Sequence, residues 1–87
     1  MKFFVYALYN SAHDRIYVGQ TENLELRITM HSSKFFKNAY TSKFSGSWNL
    51  FYQESFSTRR DALKREKQLK SFRGREFLKK KLKSKNP

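Results

Sequence analysis

The sequence predicts a small α+β domain, on three observations. Two runs rich in aromatic and β-branched residues flank a short polar loop near the N-terminus. A third such run, Trp48 to Phe56, follows a Ser- and Lys-rich segment, and amphipathic helical patterns follow the second and third runs. At 87 residues the chain fits one compact domain, expected over 1–83, with a short disordered tail at 84–87.

Phe3 to Tyr9 and Arg15 to Gln20 read as strands, and Asn10-Ser11-Ala12-His13-Asp14 between them makes them a β-hairpin. Thr21 offers an N-cap, and Glu22 through Met30 has helical composition with acid in its first turn. On a helical wheel Leu24, Arg27, Ile28 and His31 fall within an arc of about 100°. Residues 32–47 read as a loop in which basic and aromatic residues alternate, with Lys34, Lys37 and Lys43 among Phe35, Phe36, Tyr40 and Phe44. That mixture suits phosphate contact with stacking on a base, and it equally suits aromatic packing onto a sheet.

The third strand places Leu50, Tyr52 and Glu54 on one face and Phe51 and Gln53 on the other. Thr58-Arg59-Arg60-Asp61 matches a capping box and opens a helix expected to reach about Phe72, with Ala62, Leu63, Leu69 and Phe72 as its buried stripe. Gly74 is expected to break that helix before a short basic one over Arg75 to Lys83.

Composition narrows the function. The chain is 38% apolar and 17% aromatic, enough for a core without staples, and it has no cysteine. Disulfides, thiolate zinc sites and cysteine nucleophiles are thereby excluded, and a reducing, cytoplasmic setting is expected. No apolar run approaches the roughly 20 residues of a membrane span. Charge is the strongest signal: residues 1–58 carry six basic and four acidic groups, residues 59–87 thirteen and three, so +10 of the net +12 lies from Arg59 onward. A field so concentrated favours polyanions, nucleic acid first, with Arg65, Lys67, Lys70 and Arg73 as candidate contacts beside the loop lysines. A solvated basic tail is the plainer alternative.

Glu66 is the odd residue, because the wheel sets it between Ala62 and Leu63 on the apolar stripe. A carboxylate there needs a cationic partner such as Arg27, Arg73 or a nearby lysine, or a metal. Arg27 at a stripe edge could simply snorkel, and His31 could cap a helix C-terminus. Tyr6 and Tyr17 could be core tyrosines. Gly19 in a strand marks a close approach by another group.

Together, Phe4-Val5-Tyr6, Tyr17-Val18-Gly19, Arg27, His31 and Glu66 in a basic helix resemble the GIY-YIG nuclease domain in a degenerate form. The resemblance spans about residues 3–72 and is strongest to small stand-alone bacterial members. It implies a three-stranded antiparallel sheet flanked by helices. It also implies that Tyr17 activates the attacking water, directly or as part of a relay, that Tyr6 shapes the site and can assist proton transfer, that Arg27 contacts the scissile phosphate, that His31 supports, and that Glu66 holds one Mg²⁺ or Mn²⁺. Two positions depart from the family: Phe77-Leu78-Lys79 lacks an asparagine that many members carry, and Gln20 stands where several active members have lysine. Both bear on turnover rather than fold.

The chemistry is coherent. A hard divalent ion on one carboxylate keeps most of its waters and polarises a phosphate, and an arginine fork stabilises the charge growing on phosphate oxygens. A tyrosine, ordinarily titrating near about 10, needs cationic neighbours to act as a base at neutral pH. The resemblance implies a metal-dependent DNA endonuclease of repair or recombination type, with specificity low or supplied by a protein partner. The alternative is an inactive module that binds DNA or RNA.

Overall fold

The computed structural model describes residues 2–27 and 46–85. Strands β1 (Phe3–Asn10), β2 (Arg15–Thr21) and β3 (Asn49–Phe56) form an antiparallel sheet in the order β2-β1-β3. A helical turn, α1 (residues 24–27), follows β2, and helices α2 (Arg59–Leu69) and α3 (Phe72–Lys85) follow β3. The expected α+β domain is the fold observed.

Asn10 pairs with Arg15 across the hairpin, leaving residues 11–14 as the loop. The buried Asn10 side chain shapes it by accepting the His13 backbone N–H at 3.2 Å. Asp14 closes it with φ of 51°, a left-handed conformation that aspartate tolerates better than most residues. Central β1 is covered on both faces, so its residues from Val5 to Leu8 are all buried. Val5 and Ala7 join Val18, Phe51, Ala62, Leu69 and Leu78 in a core under α2 and α3. Tyr6 and Leu8 point the other way, packing with Trp48, Tyr17, Leu24 and Leu50.

Two expectations about burial are corrected here. Phe51 was set opposite Tyr52, but both pack in the helix-covered core. A register shift explains this: Ala7 pairs with Tyr52 and Leu8 with Leu50, so Phe51 is an extra residue in β3. Along α2, Ala62 and Leu69 are buried as expected, whereas Leu63 and Phe72 are exposed. The face of α2 that meets the sheet centres on Ala62 and Leu69, which leaves Leu63 on the flank.

The helix boundaries also differ. The Thr58 cap holds, with Thr58 Oγ1 accepting the Asp61 N–H at 3.2 Å. α2 stops at Leu69, and α3 starts at Phe72 with Ser71 Oγ accepting the Gly74 N–H at 3.2 Å. Gly74 therefore lies inside the first turn of α3 rather than breaking a helix. A Cβ there would stand 2.2 Å from the Gln68 carbonyl oxygen and 2.4 Å from Leu69 Cα. Only glycine lets α3 cross the end of α2 so closely. α3 extends through Lys85 and so takes in the first half of the expected tail. Among the described residues, no helix is long and apolar enough to cross a membrane.

Candidate active site

The site is built around Tyr6, whose side chain points away from the core covered by α2 and α3. Its cross-strand partner in β2 is Gly19, so the phenol lies over a position with no side chain. A Cβ at residue 19 would stand 2.6 Å from Tyr6 Oη and 2.9 Å from Tyr17 Cε2. The close approach expected at Gly19 is thus the approach of these two rings. Their centroids lie 6.2 Å apart with planes tilted by 45°.

β2 delivers the chain to Arg27 through a tight turn. Thr21 was expected to cap the first helix, but Asn23 does so: its Oδ1 accepts the Leu26 N–H at 3.1 Å, and its carbonyl accepts the Arg27 N–H at 3.1 Å. Thr21 is buried at the end of β2, where its Oγ1 accepts the Asn23 N–H at 3.1 Å. The cap shifts by two residues because β2 stays paired through Thr21 opposite Phe4.

Burial pushes the Tyr6 hydroxyl well above the usual tyrosine range. The neighbouring Tyr17 and the Glu66 carboxylate push the same way, while Arg27 pulls it back, and Tyr6 is hydrogen-bonded to Tyr17. Tyr17, Arg27 and Glu66, from β2, α1 and α2, are thus all within electrostatic reach of the Tyr6 hydroxyl on β1. At neutral pH Tyr6 is a hydroxyl donor. Because its folded-state value is raised, the stability from keeping it neutral is fully present below about pH 10 and lost as pH climbs toward the folded value. Urea-unfolding midpoints should accordingly fall from pH 9 to pH 11, and fall less steeply in Tyr6→Phe. Equal slopes would contradict the burial assigned to this phenol.

Glu66 lies on the flank of the α2 stripe, its side chain 20% exposed, with Lys70 Nζ 2.8 Å from its carboxylate. That pairing is one of the partnerships a stripe carboxylate requires, supplied by a lysine four residues on. The donor chemistry also fits one hard divalent ion. A magnesium site needs only one or two carboxylates when phosphate and water supply the other oxygens. Lys70, 54% exposed, is free to swing aside toward solvent. Among the described residues no cluster of three or more metal-ligating side chains exists.

The expected basic contacts separate into groups. Lys67, Lys70 and Arg73 are exposed. Arg65, expected to point outward, instead donates Nε to Glu54 at 3.0–3.1 Å, pairs with it through Nη2 at 2.9 Å and lies over the Phe77 ring. It sits on the other flank of the buried stripe from Glu66, so its guanidinium ties α2 to β3. His31, Lys34, Lys37 and Lys43 lie outside the described residues. Sequence reasoning missed Arg59, whose guanidinium reaches Glu22 at 2.9 Å and Gln20 Oε1 at 3.3 Å, clamping the start of α2 to the end of β2. Only the long-range fold brings these three together, so no local pattern marks them. The Gln20 amide nitrogen is buried without a hydrogen-bond partner among the described residues.

Comparison with known proteins accords with this geometry. A family model described as the GIY-YIG catalytic domain matches residues 2–83. A UPF0213 protein of Staphylococcus haemolyticus is 35% identical over 78 residues, covering 90% of this chain and 92% of that protein. Another from Staphylococcus saprophyticus is 36% identical over 64 residues, covering 74% and 76%. The solution NMR structure of a UPF0213 protein from Bacillus halodurans is 29% identical, with a TM-score of 0.54 over 90% of this chain and 82% of that one. The match takes in both strand motifs, Arg27 and the helix carrying Glu66, and the chain belongs to the GIY-YIG family.

Proposed function

We propose that the protein is a divalent-metal-dependent endonuclease that hydrolyses DNA phosphodiester bonds, acting on branched, damaged or otherwise non-duplex structures. The observation that carries this reading is the hydrogen-bonded Tyr6–Tyr17 pair packed over Gly19, with Arg27 and Glu66 close enough to act electrostatically on the Tyr6 hydroxyl. A pure binding module has no need to keep Tyr6, Tyr17, Arg27 and Glu66 together.

In this reading Tyr17 relays a proton: its oxygen accepts one from the attacking water as the water oxygen bonds phosphorus, and its own hydroxyl proton passes to solvent. The phosphorus–oxygen ester bond breaks, and the departing oxygen takes a proton from solvent. Tyr6, kept protonated by burial, orients Tyr17 through their hydrogen bond. Arg27 spans the non-bridging oxygens and stabilises their growing charge. Glu66 would hold Mg²⁺ or Mn²⁺, which when bound supplies Lewis-acid polarisation of the phosphate. The exposed Lys67 and Arg73, with Lys34, Lys37, Lys43 and the supporting His31, complete the proposed DNA contacts.

One observation favours the rival reading, a module that binds nucleic acid without cutting: Lys70 already supplies Glu66 with a cation at 2.8 Å. Labelled flap, branched and duplex DNA incubated with Mg²⁺, Mn²⁺ or EDTA discriminates the two. Metal-dependent nicking should fall by about 10²-fold or more in Arg27→Ala and in Glu66→Ala, with DNA affinity changed far less in the latter. Tight binding with no cleavage in either metal would replace the enzyme by the module.

A further inference from the structure

The sheet order leaves one edge of β2 without a neighbouring strand among the described residues. Beside it, bounded by the end of α2 and by α3, lies an open groove of about 950 Å³. That is near the top of the roughly 300–1,000 Å³ usual for ligand clefts. Its floor is apolar, made by Ile16 and Val18 of β2, Leu69 of α2 and Leu82 of α3, with the Tyr9 ring at the hairpin end. Tyr17 is also among the lining residues, which sets the groove beside the candidate active site.

The rim has the opposite character. Arg75, Lys79 and Lys83 all line the groove, and their spacing of four residues puts them on one face of α3, stepped by about 6 Å of helix rise. Lys70 and Arg15 add two more cations. The acid in the lining is Asp14, whose carboxylate accepts a hydrogen bond from Tyr9 at 2.8 Å. Among the described residues Arg75 and Lys83 have no ion-pair partner, and Lys79 has only a 3.9 Å contact with Glu76.

A regular ladder of cations calls for a regular series of anions at comparable spacing, which a phosphodiester chain provides. An apolar, partly aromatic floor calls for unpaired bases, because a duplex keeps its bases stacked inside and offers such a surface only phosphate. An acidic peptide would satisfy the rim and leave the floor uncovered. We infer that the groove between the β2 edge and α3 holds a single DNA strand, its phosphates on the α3 ladder and its bases against the floor. The inference rests on the reading of Tyr17 as part of the cutting site. It narrows the substrate to DNA with an unpaired strand beside the scissile bond.

The test is binding of the full chain in EDTA, where no cleavage enters. The probes are a fluorescent oligothymidine strand of about 15 nucleotides, an abasic strand with the same number of phosphates, and a blunt duplex of that length. The thymidine strand should bind at least about tenfold tighter than the abasic strand, since each stacked base adds affinity. Lys79→Glu/Lys83→Glu should weaken it at least about tenfold with an unchanged melting temperature, and Lys79→Gln/Lys83→Gln should flatten the salt dependence by about 0.7 per lost contact. Equal affinity for thymidine and abasic strands, preference for the duplex, or full binding by Lys79→Glu/Lys83→Glu would each overturn the groove. Strand binding with no cleavage in Mg²⁺ would sustain the groove and remove the endonuclease reading instead.

Discussion

Alanine at Gly19 should cut DNA cleavage by about 10²-fold or more and destabilise the fold by about 1–3 kcal/mol. The new methyl would lie 2.6 Å from Tyr6 Oη, 2.7 Å from Tyr6 Cζ and 2.9 Å from Tyr17 Cε2, all far inside contact distance. Relief requires one of the rings to move. Tyr6 is 1% exposed and wedged against Leu8 and Trp48, so it cannot swing into free space in a close-packed interior. Tyr17 can move, but it then leaves the hydrogen bond to Tyr6 and the place that the proposed mechanism requires of it. A displacement of about 1 Å is enough for a loss of this size. Single-turnover cleavage and urea unfolding of the same preparation measure both effects. Unchanged values in both would show that the rings do not meet over residue 19.

Gly74→Ala should be the most destabilising conservative change in the helices, by about 3 kcal/mol and possible only with separation of α2 from α3. Helix propensity argues the reverse, since alanine inside an ordinary helix is favoured over glycine by about 1 kcal/mol. The contacts decide the sign. The methyl would meet Gln68 O at 2.2 Å, Leu69 Cα at 2.4 Å and Leu69 C at 2.6 Å, and these backbone atoms move only if the helix moves. Opening the crossing would uncover Leu69 and Leu78, both essentially unexposed in the native core. For a domain of this size the melting temperature should drop by about 10 °C or more. A rise in stability would mean that Gly74 is an unremarkable helical glycine and that the helices cross more loosely.

These two glycines show how much of the protein was legible in its sequence. Gly19 was readable as a point of close approach because a bare residue inside a β-branched run has no local purpose. Gly74 was misread as a helix breaker, because its role depends on Gln68 and Leu69 across a turn. The Thr58 cap was legible because its partner Asp61 is three residues away. The caps and bulges that failed were those arbitrated at long range. Thr21 was drawn into β2 by pairing with Phe4, and Phe51 was turned toward the helices by a register shift against β1. Arg65 was read as solvent-facing because nothing local predicts that Glu54, eleven residues earlier, waits on β3.

By itself the sequence determined the three strands, the hairpin, the capped helix and a net charge of +12 gathered after Arg59. Alternation, capping and composition act over a few residues, and the chain carries them wherever it goes. The order of Tyr6, Tyr17, Arg27 and Glu66 along the chain was likewise enough to mark the family. Only the tertiary structure decided that Tyr6 and Tyr17 meet over Gly19 with Arg27 and Glu66 in electrostatic reach, and that the α3 cations line a groove beside the edge of β2. Those outcomes depend on how α2 and α3 cross and on which edge of the sheet they leave open. Both are set by packing between segments far apart in sequence.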